Sequence, residues 1–395
     1  MNYIMFDDQG RNNLLPLTFM RPIADIRIGI LTIREKWEFY LKTKTSSLTE
    51  SYLSTKFPIV KNNSNILING SVCPDNLLVG EIKKLKRNQA LVTKDSIIAL
   101  HLGADDLDES GEMDISGIEE IEVDHEPLKI NEIWEVFHKN GEALRLDYNL
   151  LTKKRQSEKL SSTNRLLGEE NIFVEKGAKV EFAILNATTG PIYIGKEAEI
   201  MEGTVIRGPF AICDHAVVKM AAKIYGPTTI GPYSKVGGEI NNSVIFGYTN
   251  KAHDGFLGHS VISEWCNLGA DTNNSNLKNS YDSVKLWNYP QKTFVDTGLQ
   301  FCGLIMGDHS KTGINTMFNT GTVVGVNVNV FGSGYQRQFI PSFTWGGAQG
   351  FKIYDIKKAT SVAEQVYSRR NKVFDETEKE ILVNLFYLTA VNRNL

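Results

Sequence analysis

A chain of 395 residues is more than one typical hydrophobic core organises, so two domains are expected. With 42% hydrophobic and 23% charged residues the composition is that of an ordinary globular protein, and a net charge of −3 argues against nucleic-acid binding by phosphate neutralisation. No uncharged apolar run approaches the roughly 20 residues of a membrane span, and Met1 to Asp8 carry no basic segment ahead of an apolar one, so a cytoplasmic protein with small-molecule partners is expected.

Residues Tyr3 to Phe6 read as a strand ending in Asp7-Asp8. A polar loop follows, and Asp25 reads as the N-cap of a helix carrying Ile26, Ile30, Ile33 and Trp37. Strand, charged loop and helix open an α/β nucleotide-handling domain. Arg11, Arg21, Arg27 and Arg34 lie in this opening, and a guanidinium fork matches phosphate oxygens in a bidentate way. Residues 65–70 and 97–100 read as further strands. Residues 103–126 hold eleven acidic residues and no Lys or Arg, which predicts a solvated insert without chemistry. A helix over Ile130 to Phe137 closes near Asn140-Gly141, and a second carries Leu144, Tyr148 and Leu151. The polar stretch 152–163 marks the boundary, giving a first domain at 1–155.

Every sixth residue from Ile194 through Ile200, Ile206, Ile212, Val218, Ile224 and Ile230 to Val236 is β-branched and aliphatic. Neither a helix nor an alternating strand produces that period. It marks a hexapeptide parallel β-helix, in which each unit gives one short strand and one corner of a triangular prism. Gly195, Gly226, Gly231 and Gly237 are expected at tight corners. The period starts near Ile172 and fails between Gly237 and Gly255, where the chain is expected to bulge out or add an irregular coil. It fails again over 272–296 and returns at Phe318, Val324 and Val330. Trp345-Gly346-Gly347 reads as the last coil, placing this domain at 165–350. A helical segment at 351–395, with Asp375 and Glu378 as a capping box, shields the end.

A regular coil offers only stacked aliphatics, so chemistry belongs to the irregular stretches. His253 is a candidate general base, because an unperturbed imidazole titrates near neutrality. The cysteines Cys73, Cys213, Cys266 and Cys302 lack CxxC spacing and read as free thiols.

Lys251-Ala252-His253 followed by Gly258, then Asn267-Leu268-Gly269-Ala270-Asp271-Thr272 and Asn276, resemble the acetyltransferase half of the bifunctional UDP-N-acetylglucosamine pyrophosphorylase/glucosamine-1-phosphate N-acetyltransferase family. The resemblance implies a left-handed parallel β-helix, a homotrimer with its acetyl site between adjacent prisms, and acetyl-CoA as co-substrate. It gives His253 the role of base toward the sugar amine. Asn267 and Asn276 would contact the sugar phosphate, and the Ala270 amide the acetyl carbonyl oxygen. Lys235, Lys251 and Lys278 are the candidates for the family's basic sugar-phosphate ligands. Phe256 stands where the family has a tyrosine, so one hydroxyl contact is missing. Asp308-His309-Ser310-Lys311-Thr312-Gly313 reads either as a turn or as part of a coenzyme A pocket through Lys311.

The likeness is specific over 235–320 and weak before 150. Met5 to Arg11 replaces the family's glycine-rich nucleotide loop, with Arg11 and Arg21 left as nucleotide ligands. Ser71 replaces its magnesium-binding aspartate, so Asp7 or Asp8 would have to hold Mg²⁺. Acetyl transfer to glucosamine 1-phosphate, with uridylyl transfer from UTP as a second activity, is the expectation. It would place the chain in UDP-N-acetylglucosamine and cell-envelope biosynthesis. Two rivals stay open. One is a trimeric sugar-nucleotide-binding regulator. The other is a zinc hydratase resembling the γ-class carbonic anhydrases, with His253, His259 and His309 as ligands shared between subunits.

Overall fold

The computed structural model describes residues 1–107, 113 and 115–393, so part of the acidic stretch 103–126 lies outside it. The chain divides into two compact units. One comprises residues 1–14, 20–26 and 31–132, and the other 15–19, 27–30 and 133–395.

The first unit is built on a six-stranded sheet. Asn2–Phe6 lies between Ser46–Leu48 and Asn65–Asn69, parallel to both. Ser96–Leu102 runs antiparallel to Asn65–Asn69, and Gln89–Thr93 antiparallel to it in turn. Within the acidic stretch, Glu119–Glu122 adds an edge strand parallel to Gln89–Thr93. Ile4, Phe6, Leu67 and Leu100 fill one core of this unit. The helix after the charged loop is shorter than the sequence predicts. It spans Ile33–Leu41, because Thr32 and Glu35 form a reciprocal capping box there. Asp25 is not its cap; its carboxylate takes a two-pronged bond from Arg34 at 2.7 and 2.8 Å.

The second unit is the expected left-handed parallel β-helix of about 10 turns. Its first face is a nine-stranded sheet running from Ile172–Val174 to Phe339–Ile340. A second face runs over six strands from Arg165–Leu167 to Phe256–Gly258. The third begins with Lys179–Val180, Glu199–Ile200, Val217–Val218, Lys235–Val236 and Asn250–Lys251. Asn267 carries it on, bridged to Asn250 on one side and Lys311 on the other. Inside, Ile194, Ile200, Ile206, Ile212, Val218, Ile224, Ile230 and Val236 are buried in one continuous core.

One expectation changes here. The stretch 237–255 does not bulge. It forms a shorter coil, with Thr229 opposite Val244 where Phe210 stands opposite Thr228 one coil below. The hexad period fails because residues were lost from a coil, not added. The real excursion follows Val261–Ile262, whose partner in the next coil is Ile305–Met306. It carries an antiparallel hairpin, Lys285–Asn288 with Thr293–Asp296. Of the four corner glycines only Gly226 is left-handed; a Cβ at Gly195, Gly231 or Gly237 would instead lie 2.5–2.7 Å from main-chain atoms of the next coil.

One corner column is left-handed without glycine. His215, Tyr233, Tyr248, Trp265 and His309 have φ of 57–60°. Their rings stack with centroids 4.7, 5.0, 4.2 and 6.3 Å apart up the column. Stacking between aromatic faces contributes about 0.5–1.5 kcal/mol per pair and offsets the left-handed strain.

Asn140-Gly141 opens a helix instead of closing one. By its contacts Asn140–Thr152 belongs to the second unit. At the other end, Asp355 and Asp375 cap the helices Ile356–Ser368 and Glu376–Leu388. Asp375 accepts from the Glu378 amide as expected.

Candidate functional site

The outward residues of the third face form a row. Lys235 stands opposite Asn250, Asn250 opposite Asn267, and Asn267 opposite Lys311. The Asn250 amide donates to the Asn267 carbonyl oxygen at 2.8 Å. This row is one wall of a cleft of about 480 Å³. The aromatic corner supplies Tyr248 and Trp265, and the end of helix Ile356–Ser368 supplies Val366 with Arg369 and Arg370 just beyond. Among the described residues no carboxylate lines the cleft. Burial, with Arg369 alongside, holds the Arg370 guanidinium below its usual range. Burial likewise pushes the Lys311 ammonium down to about 8, and its Nζ donates to the His309 carbonyl at 2.7 Å. Four cationic side chains around a cavity with aromatic walls suit a phosphate-bearing ligand.

Three residues past Asn250 the chain turns the next corner and presents His253, exposed. Its imidazole makes no hydrogen bond among the described residues. The neighbouring coil brings Ala270 to the corner above, where Asn315 donates to its carbonyl and its own N–H has no partner among the described residues. An exposed imidazole can accept a proton and an uncommitted amide can donate to a developing oxyanion.

Other sequence candidates lie elsewhere. Lys251 is turned into the prism and is only 2% exposed, so it is not a surface ligand. The Asn276 amide donates to Nδ1 of His259 at 2.9 Å, and Lys278 donates to the Ser283 carbonyl in the excursion. The 308–313 motif is mostly an internal brace: Asp308 accepts from Glu264 N, and Ser310 donates to Gly325 O while accepting from Val328 N. Only its Lys311 reaches the cleft. The three histidines do not form a zinc set within one chain. His259 is engaged with Asn276 and stacked on Phe301, and His309 is buried in the aromatic column. Among the described residues no three His, Cys, Asp or Glu side chains gather as a metal site. All four cysteines are buried thiols outside any disulfide.

In the first unit Asp7 accepts from Arg11 at 3.1 Å, from Thr49 at 2.5 Å and from the Ile23 amide at 2.8 Å. Burial still raises its carboxyl above the ordinary range. Asp8 accepts from Asn69 and Gly10 and lies 3.6 Å from the Lys129 ammonium. Mg²⁺ takes carboxylate oxygens left open to it, and these two carboxylates are committed, so they do not fit a divalent metal. Arg11 is buried and bonds Asp7 and Tyr52; Arg21 is buried too.

Sequence reasoning missed Asn250, Tyr248, Trp265, Arg369 and Arg370. The run Arg369-Arg370-Asn371-Lys372 at a helix end was the available signal for the last two.

Residues 3–156 match the family described as "Sugar nucleotidyl transferase". The chain is 28% identical over 144 residues to a bifunctional sugar-1-phosphate nucleotidylyltransferase/acetyltransferase from Sulfurisphaera tokodaii, over 36% of this chain and 35% of that protein. It is 37% identical over 89 residues to the bifunctional protein GlmU of Methanocaldococcus jannaschii, over 22% of this chain and 21% of that one. The chain thus spans about a third or less of these relatives' length. Among solved structures, a UDP-N-acetylglucosamine acyltransferase from Campylobacter jejuni overlaps 57% of this chain and 95% of its own, at 14% identity and a TM-score of 0.25.

Proposed function

We propose that this chain transfers an acetyl group from acetyl-CoA to the amine of glucosamine 1-phosphate or a related amino-sugar phosphate, as a homotrimer. The observation that carries the reading is the third face. There an exposed imidazole and an uncommitted amide stand at the same corner of successive coils, and the outward row of that face lines a cleft with Lys235, Lys311, Arg369 and Arg370. The names of the matched relatives support acyl transfer.

In this reading the neutral sugar amine attacks the thioester carbonyl carbon. His253 takes the proton from the resulting ammonium, and the Ala270 N–H stabilises the oxyanion. The C–S bond then breaks, and the imidazolium returns its proton to the departing thiolate. Lys235, Asn267, Lys311, Arg369 and Arg370 hold the phosphate of a substrate. Asn276 acts indirectly, by fixing His259.

Thiol release from acetyl-CoA, followed with a thiol reagent in the presence of glucosamine 1-phosphate, tests this. His253→Ala is expected to lower kcat by roughly 10²–10⁴-fold, the usual worth of a general base. A folded wild-type protein that releases no thiol with any amino-sugar phosphate would leave the regulator reading instead. Uridylyl transfer by the first unit is a second reading, favoured by the match over residues 3–156.

A further inference from the structure

The inward residues of the third face run Val180, Ile200, Val218 and Val236, each opposite the next. The next partner, opposite Val236, is Lys251. Leu268 then resumes the apolar column, its amide bonded to Asn250 O. A lysine thus occupies an aliphatic rung, flanked by Val236 at 0% and Leu268 at 1% exposure. A buried cation is costly unless its hydrogens find acceptors. This one has no bonded carboxylate. Its Nζ donates to the carbonyls of His253 at 2.6 Å and Asp254 at 3.3 Å, both within its own corner.

That corner is irregular. Elsewhere on this edge the third corner residue is left-handed and donates to the coil below: Gly203 to Phe182, Ala221 to Glu202, Asp271 to Asp254 and Asn315 to Ala270, at 2.9–3.0 Å. Beneath His253 the coil turns through Gly237 and Gly238 alone, between Lys235–Val236 and Glu239–Asn241, and the matching bond is missing. The left-handed position has slipped by one, to Gly255 at φ 118°. Gly238 is required beneath it, since a Cβ there would lie 2.8 Å from Gly255 O.

We propose that Lys251 is a positioning residue. From inside the prism its ammonium clamps the His253 and Asp254 carbonyls, replaces the missing main-chain bond and fixes the corner that presents the His253 imidazole. The proposal rests on His253 being the base. A purely structural side chain here would be aliphatic, as on the rungs above and below.

The test compares Lys251→Met, Lys251→Gln and His253→Ala in the full-length protein by acetyl-transfer kinetics and by amide hydrogen exchange without substrate. Lys251→Met is expected to lower kcat by roughly 10–100-fold, the scale of a misplaced catalytic group, with KM within about twofold of wild type. Exchange at residues 252–255 should rise, while 217–218 and 322–324 stay protected. Lys251→Gln, which keeps an amide donor, should recover part of both. Unchanged exchange at the corner in Lys251→Met overturns the clamp. Wild-type kcat in that variant, or global unfolding of both variants, overturns the positioning role. Full activity in His253→Ala would sink the base assignment instead, and corner exchange would still report on the clamp by itself.

Discussion

His259 shows how the fold uses an imidazole structurally. Nδ1 accepts from the Asn276 amide at 2.9 Å, and the ring stacks on Phe301 with centroids 5.1 Å apart. With the Asn242 amide turned so that its oxygen faces the ring, Nε2 donates to it at 3.2 Å. The neutral ring is satisfied on both nitrogens, and protonation would break the bond at Nδ1. Burial, and secondarily the His138 charge, push its pKa from 6.5 down to about 4. Between those values the unfolded chain holds more protons than the folded one. Stability therefore falls as pH drops from 6.5 toward 4. Thermal melts at pH 7 and 4.5 should show a lower Tm at the acidic value, and His259→Gln should flatten the difference. At this scale the sequence was a partial guide. His253, Lys235, Asn267 and Lys311 were singled out by motif and resemblance, and the structure sets Lys235, Asn267 and Lys311 along one cleft wall and leaves His253 exposed. Lys251 and Asn276 were misread because no sequence pattern distinguishes a lysine pointing into a prism from one pointing out.

At the level of elements, the helix Asn140–Thr152 depends on its first residue. Asn140 is fully buried; its oxygen accepts from the Gly29 amide at 2.7 Å, and its nitrogen donates to Pro227 O at 3.1 Å. Asn140→Ala would leave the buried Gly29 N–H without its partner, while the turned Asn242 amide still donates to Pro227 O, so the cost is about 1–3 kcal/mol. Urea denaturation should show that loss as a lower midpoint with an unchanged slope. Asn-Gly reads as a turn in isolation, so the sequence pointed to a helix end. Tertiary contacts decided otherwise. The β-helix was legible for the opposite reason: its strands are defined by a period, and each inward aliphatic meets its like on the next coil. The shortened coil at 237–255 escaped because deleting residues destroys the period without destroying the pairing.

For the whole molecule, the two units raise separate questions of activity. The first matches a nucleotidyltransferase family, yet its Asp7 and Asp8 are tied to Arg11, Asn69 and neighbouring groups. Pyrophosphate release from UTP with an N-acetylated sugar phosphate, with and without Mg²⁺, addresses it directly. If these committed carboxylates are the sole candidate donors, the expected rate is at background, and Asp8→Asn leaves it there. Robust Mg²⁺-dependent release would mean that other groups hold the metal.

The jump from Val261–Ile262 to its partners Ile305–Met306 also bears on how the chain is made. Each earlier coil can lay itself on the one before after only 15–21 further residues have emerged. Here the ribosome must deliver 44 before the next rung of the first face can pair. At roughly 5–20 residues per second that is a wait of about 2–9 s. Through that wait the first-face edge at Val261–Ile262 stays unpaired, within the coil that follows His253.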